Sequence, residues 1–505
     1  MNKFKQKFTY YLHSRNFPSH ILVCGVIALV VVVNMIIYAL SGVLPLYIYS
    51  PTEDDLSVSD ACDALFEGYI GSGEVVTVTF CSYEDAVESH STGKFVLETA
   101  RGFAEKYPGF INLRFVNALT LLDSNGASVA DELAIYSDGG NNLINDTSVI
   151  FSSETGFRVL TDMISSTGYA DFFTFDDSLY ITSYNGEEVF ASSVIRALGG
   201  ESETVYMTVG HGESANGTLY NILTSAGYNV RELDLRKKDV PDDAAFVVIS
   251  NPISDIERGA TGSSLITEYD RLISYRDKGG QFLLFFDPAA KRLPVLWDFV
   301  DDFGISLGEH NGLTPLVKDG QNAITTDGFT LVSETADSIS GRAISDLILG
   351  RTDGNGRVIV RAVAPLVLNP DSSAEAVLLA SEKSTLESDG QSVGADGGYV
   401  IAASAVMEND LTDSARIFVM SDGMLTASDA IVTDGYSNKD FLFALFDSFF
   451  GGEDMPYGCR SVIYNEQILE NLTMGEARIY TAILFAIPIL LAAFGGVILV
   501  RRRNA

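Results

Sequence analysis

The chain has 505 residues, of which 47% are hydrophobic and 20% charged, so disorder is excluded as its main state and more than one folded unit is expected. Its formal net charge is −34, which excludes nucleic acid as a partner, because phosphate contacts need a basic surface. Four cysteines exclude a disulfide scaffold and an array of cysteine-based zinc sites.

Two long apolar stretches predict membrane-spanning helices. The first covers 21–43, with 21–40 free of charge, and the second covers 479–500. Each has the roughly 20 apolar residues that are needed to cross the hydrocarbon core. A cleaved signal peptide is the alternative for the first stretch, but the stretch is longer than the usual signal-peptide core and lacks an A-x-A-like cleavage site.

The charges beside these stretches predict their orientation. Residues 1–20 contain Lys and Arg but no acid, and 501–505 begin with three arginines. Because basic residues favour the cytoplasmic side, both termini are expected in the cytoplasm. All 67 acidic residues lie between Glu53 and Glu476. The sequence therefore predicts a protein of the cell membrane with an acidic extracytoplasmic portion, 44–477.

The first part of that portion, 44–200, is predicted to be an α/β domain with a thioredoxin-like βαβ start. The expected elements are a helix over 57–70, a strand over 75–80, a helix over 95–106, a strand over 111–118, a loop region over 123–147 and a strand over 149–153. A strand, a helix and a strand of these lengths make a parallel βαβ unit.

The second part, 201–455, is predicted to be a doubly wound α/β domain, followed by a linker over 456–478. Strands are expected over 205–210, 229–235, 245–250, 281–286, 358–368, 376–381 and 415–422, helices over 219–226, 263–277 and 439–450, and a loop over 382–398. The alternation of strands and helices is typical of a parallel sheet covered on both faces.

Polar residues follow three strands of this second domain. His211 and Glu213 come after the first strand, Asn251 after the third and Asp287 after the fourth. Because ligands bind beyond the carboxyl ends of parallel strands, these four residues are the candidate ligand-binding cleft. The alternative is that glycines and prolines form the turns here, while the polar side chains cap helices.

Motifs for other chemistry are incomplete. The segment 91–95 lacks the first glycine and the Ser/Thr of a phosphate-binding loop. The segment 390–394 reads G-x-S-x-G, but no strand and helix are expected to flank it, as a nucleophile elbow requires. The exterior histidines have no His or Cys at metal-ligand spacing, so neither a conventional zinc site nor a cofactor is expected. No full calcium-loop string occurs.

The exterior cysteines are Cys62, Cys81 and Cys459. Cys81 follows the strand 75–80 without a second cysteine in C-x-x-C spacing, which favours an isolated structural thiol over redox chemistry. A single bridge between Cys62 and Cys81 is an alternative that the sequence leaves open.

Several segments carry a resemblance to a known family. They are the N-terminal anchor with 57–80, ASSVIRAL (191–198) leading into 204–213, then 227–252, 275–288, 415–423 with 437–450, and the terminal span with its three arginines. Together they resemble the GldG-like family, the extracytoplasmic auxiliary component of certain ABC transporters. The resemblance implies a non-enzymatic protein that works with a separate ABC permease and ATP-binding subunit. It also implies that the second domain is like a class I amidotransferase fold without its nucleophile.

Two other functions stay open at this stage. One is a membrane-tethered binding protein for a cell-surface glycan or peptide, although the sequence identifies no particular ligand. The other is a tethered hydrolase that uses His211, Glu213 and Asp287. An amidotransferase-like reaction is disfavoured, because no cysteine lies between Cys81 and Cys459.

Overall fold

A computed structural model describes residues 56–463, apart from 123–124, 141–142, 162–168, 176–179, 200–201, 214–216, 260–264, 289–292, 321, 326, 353–355, 395–396, 409–413, 423–430, 432–435 and 453. The predicted spans, 21–43 and 479–500, and the basic termini lie outside the described residues. Within the described part, none of the helices combines the length and the apolar character that a bilayer crossing demands.

The elements of the described chain are numbered in chain order. The helices are α1 (Ala61–Phe66), α2 (Glu84–Ser89), α3 (Gly93–Lys106), α4 (Val129–Ala134), α5 (Gly186–Gly199), α6 (Gly217–Ser225), α7 (Glu268–Asp277), α8 (Pro294–Asp301), α9 (Ile339–Arg351) and α10 (Asn438–Ser448). The strands are β1 (Val76–Phe80), β2 (Ile111–Phe115), β3 (Val149–Ser152), β4 (Phe157–Leu160), β5 (Phe173–Phe175), β6 (Ile181–Tyr184), β7 (Thr204–Thr208), β8 (Asn229–Leu233), β9 (Ala244–Ser250), β10 (Gln281–Phe285), β11 (Ile305–Leu307), β12 (Leu316–Lys318), β13 (Thr330–Thr335), β14 (Val358–Arg361), β15 (Leu366–Leu368), β16 (Glu375–Leu379), β17 (Thr385–Ser388), β18 (Gln391–Ser392), β19 (Val400–Met407), β20 (Ala415–Met420) and β21 (Val462–Ile463).

The first sheet has the strand order β2-β1-β3-β4. Strands β1 and β2 are parallel and α3 connects them, which confirms the predicted βαβ unit. Strands β3 and β4 continue the sheet in antiparallel orientation. Two local predictions were wrong. The N-terminal helix covers only α1, and the expected loop 123–147 contains α4, which Ser128 caps by accepting a hydrogen bond from the Asp131 amide.

The large sheet has the order β14-β13-β16-β19-β20-β10-β9-β7-β8. The five strands from β20 to β8 are parallel, as predicted for this part of the chain. The remaining strands, from β19 to β14, are antiparallel to their neighbours, so the sheet is mixed and the predicted parallel sheet covers only its β20-to-β8 part. Short connections such as the one between β19 and β20 suit antiparallel pairing, because a parallel crossover needs a dozen or more residues.

Alternating side chains of the parallel strands pack on opposite faces of the large sheet. On one face, Phe246 and Val248 of β9 join a buried cluster with residues of α6, α9 and α10. On the other face, Val247 and Ile249 of the same strand join a cluster with residues of α7 and α8. Burial on both faces explains why these strands read as continuous apolar runs in the sequence.

Two segments of the antiparallel part differ from the sequence prediction. The predicted strand 358–368 is divided into β14 and β15, and Ala362 between them has a φ of 53°. The predicted loop 382–398 contains the hairpin β17–β18, whose tip residues Asp389 and Gly390 have φ angles of 51° and 73°. The G-x-S-x-G string at 390–394 therefore begins at a hairpin tip, which is not the strand-to-helix turn of a nucleophile elbow.

Helix α5 precedes the large sheet, and almost every one of its residues is buried. The predicted domain boundary at 200/201 falls between this helix and β7, and it stays a prediction. Strand β21, inside the predicted linker 456–478, pairs with β6 in a small sheet of order β21-β6-β5. The end of the described chain thus returns to the elements that precede the large sheet.

Candidate functional site

The loop after β7 holds the first two candidate residues. Gly210, with a φ of 116°, turns the chain at the carboxyl end of the strand, and the next residue, His211, is buried. The side chain of Arg236 closes over this turn, and its Nη1 donates a hydrogen bond to the Gly210 carbonyl at 3.2 Å. Glycine suits position 210 because other residues rarely adopt such a φ, whereas the Arg236 guanidinium that a side chain would meet can move.

The imidazole of His211 lies between two carboxylates. Its Nδ1 is 3.4 Å from Oε1 of Glu213, and its Nε2 is 3.0 Å from Oε1 of Glu268. Both carboxylates are themselves shielded, with side-chain exposures of 6% and 5%. The Glu213 carboxylate also accepts the backbone amide of His211 at 2.6 Å, and Glu268 accepts the amide of Glu257 at 2.8 Å.

This arrangement favours a charged imidazole. The hydrogen bond to Glu213 raises the pKa of His211, burial opposes the rise, and the negative charge of Glu268 adds to it. Burial raises the pKa of Glu213, but its bonds to His211 outweigh burial, so its pKa is lowered overall. Each ring nitrogen faces its own carboxylate, so the charged imidazole that this arrangement favours has no lone pair to act as a general base. The group ties the β7 loop to the N-terminus of α7.

Asn251 lies in the neighbouring loop, directly after β9. It is half-buried with a φ of 50°, and its backbone amide donates a hydrogen bond to the Phe285 carbonyl at 2.9 Å. The same loop touches the first one, since the amides of Ile253 and Ser254 both donate to the His211 carbonyl at 2.9 Å. The structure therefore brings the Asn251 loop and the His211 loop together through the backbone.

Asp287 is exposed and lies elsewhere at the same edge of the sheet, on the wall of a recess of about 470 Å³. Of the described residues, neither His211 nor Glu213 nor Asn251 lines this recess. The predicted cleft is thus divided into a buried histidine cluster and an open recess. The hydrolase expectation needs His211 and Asp287 at one site, and this division gives it no support.

The recess combines an aromatic pair with acidic side chains. The rings of Phe286 and Trp297 stack at a centroid distance of 4.3 Å and an interplanar angle of 28°. Four carboxylates line the recess, from Asp287, Glu309, Glu387 and Asp389. An aromatic face beside carboxylates suits a ligand with an apolar or cationic face and hydrogen-bond donors, such as a sugar or a basic peptide.

Two further groups escaped the sequence analysis. Glu268 completes the histidine cluster, and its only sequence signal is its place at the start of a helix whose N-cap, Thr267, forms a capping box. Cys62 and Cys459 are in contact, with their Sγ atoms 3.7 Å apart, and both are buried. The alternative of a bridge from Cys62 to Cys81 was wrong, because both are free thiols and Cys81 packs in a cluster that does not include Cys62.

Comparison with known proteins adds little. The chain matches none of the protein families searched, and no curated protein matches it. Among solved structures, the N-terminal domain of mmIFT52 is 14% identical, with a TM-score of 0.37, over 49% of this chain and 98% of that one. A ThuA-like protein of Bacteroides uniformis is 14% identical, with a TM-score of 0.31, over 48% and 89%. The carbohydrate deacetylase Agd3 is 11% identical, with a TM-score of 0.28, over 49% and 32%. Likenesses this weak say nothing of what this chain binds or catalyses.

Proposed function

We propose that the chain is a non-catalytic, membrane-anchored extracytoplasmic subunit of an ABC transport system, working with a separate permease and ATP-binding subunit. In this proposal 21–43 and 479–500 span the cell membrane, both termini are cytoplasmic and 44–477 is outside. The apolar stretches, the distribution of charge and the resemblance to the GldG-like family support it.

The observation that carries the non-catalytic part of the proposal is the state of His211. Its two ring nitrogens face Glu213 and Glu268, so the histidine at the sheet edge is a buried structural group. We also propose that the second domain is a class I amidotransferase-like fold without a nucleophile. Five parallel strands with helices on both faces and the lack of any cysteine between Cys81 and Cys459 support this assignment.

The test is affinity purification of the tagged full-length protein after gentle detergent extraction, with mass spectrometry of the proteins that accompany it. We expect a multi-span permease and an ATPase in stoichiometric amounts. Trp297→Ala is the matched control, because it changes the exterior portion and leaves 21–43 and 479–500 intact. Partners that bind through the spans should still accompany this variant. Purification of the chain alone in several detergents would contradict the proposal.

The recess favours a second candidate, a membrane-tethered binding protein for a glycan or peptide. Trp297 is the only tryptophan of the chain and lines the recess, so its fluorescence reports on binding there directly. Titration with oligosaccharides and with basic peptides is expected to shift the emission of the wild type. The Asp287→Asn variant should weaken the shift, whereas Asp277→Asn, an acid outside the recess, should leave it unchanged.

A further inference from the structure

Three side chains from distant parts of the sequence meet beside the first turn of α5. The thiol of Cys62 donates to Oε1 of Glu187 at 3.3 Å, and its sulfur is 3.7 Å from that of Cys459. The possible ligand atoms of all three residues lie within 4.8 Å of one another, and all three residues are buried. Cys62 belongs to α1, Glu187 to α5, and Cys459 to the segment that leads into β21.

Glu187 is a buried carboxylate that has no cationic partner among the described residues. Its oxygens accept hydrogen bonds from the amide and hydroxyl of Ser59 and from the amide of Arg460, in addition to the Cys62 thiol. No lysine or arginine side chain in the described part of the chain forms an ion pair with it. These donors and the first turn of α5 offset part of the cost of burying the carboxylate, but its negative charge still favours a cation beside it.

The distances in this cluster match those of a tetrahedral metal site. A zinc ion with Zn–S bonds of about 2.3 Å and a Zn–O bond of about 2.1 Å separates two sulfurs by about 3.8 Å, and a sulfur from a carboxylate oxygen by about 3.6 Å. The observed separations are 3.7 Å and 3.3 Å. Cys62 is thus at metal-site distance from both other groups, and the Cys459 sulfur lies within 4.8 Å of a Glu187 oxygen, so a cation can enter once Cys459 and Glu187 close around it.

The surroundings also hold the ligands in place. The amides of Ser59 and Arg460 each bind one oxygen of Glu187, which fixes the carboxylate as the outer contacts of metal ligands usually do. A disulfide between Cys62 and Cys459 would use the two sulfurs but bring no positive charge to Glu187, which would keep only its hydrogen bonds from Ser59 and Arg460. The geometry and the unpaired charge together thus favour a metal ion over a disulfide.

We propose that Cys62, Cys459 and Glu187 bind one thiophilic divalent cation of the zinc type, with water in the fourth position. The two thiols lose their protons to solvent on binding, and the ion cancels two of the three ligand charges. The metal would join segments that are 397 residues apart at the two ends of the described chain. This site departs from the sequence prediction of no metal, because its ligands share no spacing motif.

Cobalt and zinc titration of the full-length protein tests the proposal. The protein is purified in mild detergent, reduced, stripped with a chelator and titrated with Co²⁺. The wild type should take up one equivalent with thiolate-to-cobalt charge-transfer absorption, and Zn²⁺ should displace it. Saturating Zn²⁺ should also raise the melting temperature of the wild type, since a ligand that binds only the folded state stabilises it.

Variants assign the ligands. Cys62→Ser and Cys459→Ser should lose the absorption band, and Glu187→Gln should bind at least tenfold more weakly. Cys81→Ser is the matched control and should behave as the wild type, because Cys81 is also buried but lies outside the cluster. If the serine variants do not fold, the wild-type band and the Glu187→Gln affinity still decide the question.

Three results would overturn the proposal. The first is a reduced wild-type protein that shows no thiolate band. The second is a band that persists in both serine variants, which would place the metal elsewhere. The third is an untreated protein whose intact mass is lower by two hydrogens and whose peptides link Cys62 to Cys459, since a disulfide would then occupy the site.

Discussion

At the carboxyl edge of the large sheet two glutamates share one histidine, whereas on the first turn of α5 two adjacent glutamates have different partners. Glu213 and Glu268 flank the His211 ring. Glu188 forms an ion pair with Lys439 and accepts a hydrogen bond from the Ser461 hydroxyl at 2.8 Å. Glu187, one residue earlier, meets thiols and backbone amides. Buried acids of one chain are thus compensated in three different ways.

The difference indicates which acids hold the fold together and which one is open to a ligand. A buried carboxylate beside a cation is already neutralised, and it cross-links the elements that carry the two charges. Glu188 links α5 to α10 in this way, and the histidine cluster links the β7 loop to α7. A carboxylate that meets only neutral donors still favours a positive charge, which is the property of a cation site.

The largest loss in the free energy of unfolding is expected from Glu188→Gln. The amide keeps the shape of the side chain but leaves Lys439 without its counter-ion, and breaking a buried pair in this way costs about 3 kcal/mol. Unfolding of the full-length protein in mild detergent, followed by circular dichroism, measures the loss. Asp242→Asn is the control, because its pair with Lys278 is exposed and should contribute less than about 1 kcal/mol. Equal losses in the two variants would show that the buried pair is not a cross-link.

A smaller and pH-dependent effect is expected from His211→Gln. The pKa of His211 is raised, so its stabilisation is fully present below the ordinary value of 6.5 and is lost as the pH rises through the raised value. The pKa of Glu213 is lowered, so its share is present above the ordinary 4.5 and is lost as the pH falls through the lowered value. At pH 6 the variant should lose about 2 kcal/mol, the order of a hydrogen bond to a charged group.

Melting temperatures measured from about pH 5 to about pH 9, a range that brackets the ordinary histidine pKa, test this expectation. The stability of the wild type should fall on the alkaline side, and His211→Gln should fall less steeply there. His310→Gln is the control, since this half-buried histidine lies outside the cluster, and it should keep the wild-type slope. An unchanged slope in His211→Gln would mean that the imidazole is neutral and that the cluster is held by hydrogen bonds alone.

The sequence predicts the parallel half of the large sheet well and the rest poorly, for a physical reason. Strand β9 is buried on both faces, so its apolar run stands out, and the predicted range 245–250 differs from the structure by one residue. The hairpin β17–β18 is short and half-exposed, and it reads as a polar loop. Periodicity detects burial, and these two strands bury little.

The histidine cluster, the recess and the cysteine pair could likewise be predicted only in part. The order of parallel strands places His211 and Asn251 in touching loops, which strand-end reasoning anticipates. It does not show which way each side chain points, so Asp287 and His211 were expected in one cleft and lie in two places. The meeting of Cys62 with Cys459 depends on the return of the chain at β21, and no local pattern encodes a contact across 397 residues.

The smallest loss of stability is expected from Glu187→Gln in the metal-free protein. This variant is the closest comparison for Glu188→Gln, because the two glutamates share one helical turn. The amide can still accept from Ser59, loses one acceptor toward the Arg460 amide and strands no cation, so the cost should be about 1 kcal/mol. The melting temperature in the presence of a chelator, measured beside that of Glu188→Gln, tests this. Saturating Zn²⁺ should then widen the gap between the wild type and Glu187→Gln but leave the deficit of Glu188→Gln nearly unchanged. A metal-free loss as large as that of Glu188→Gln would mean that the charge of Glu187 already supports the fold, and the contrast between the two acids would disappear.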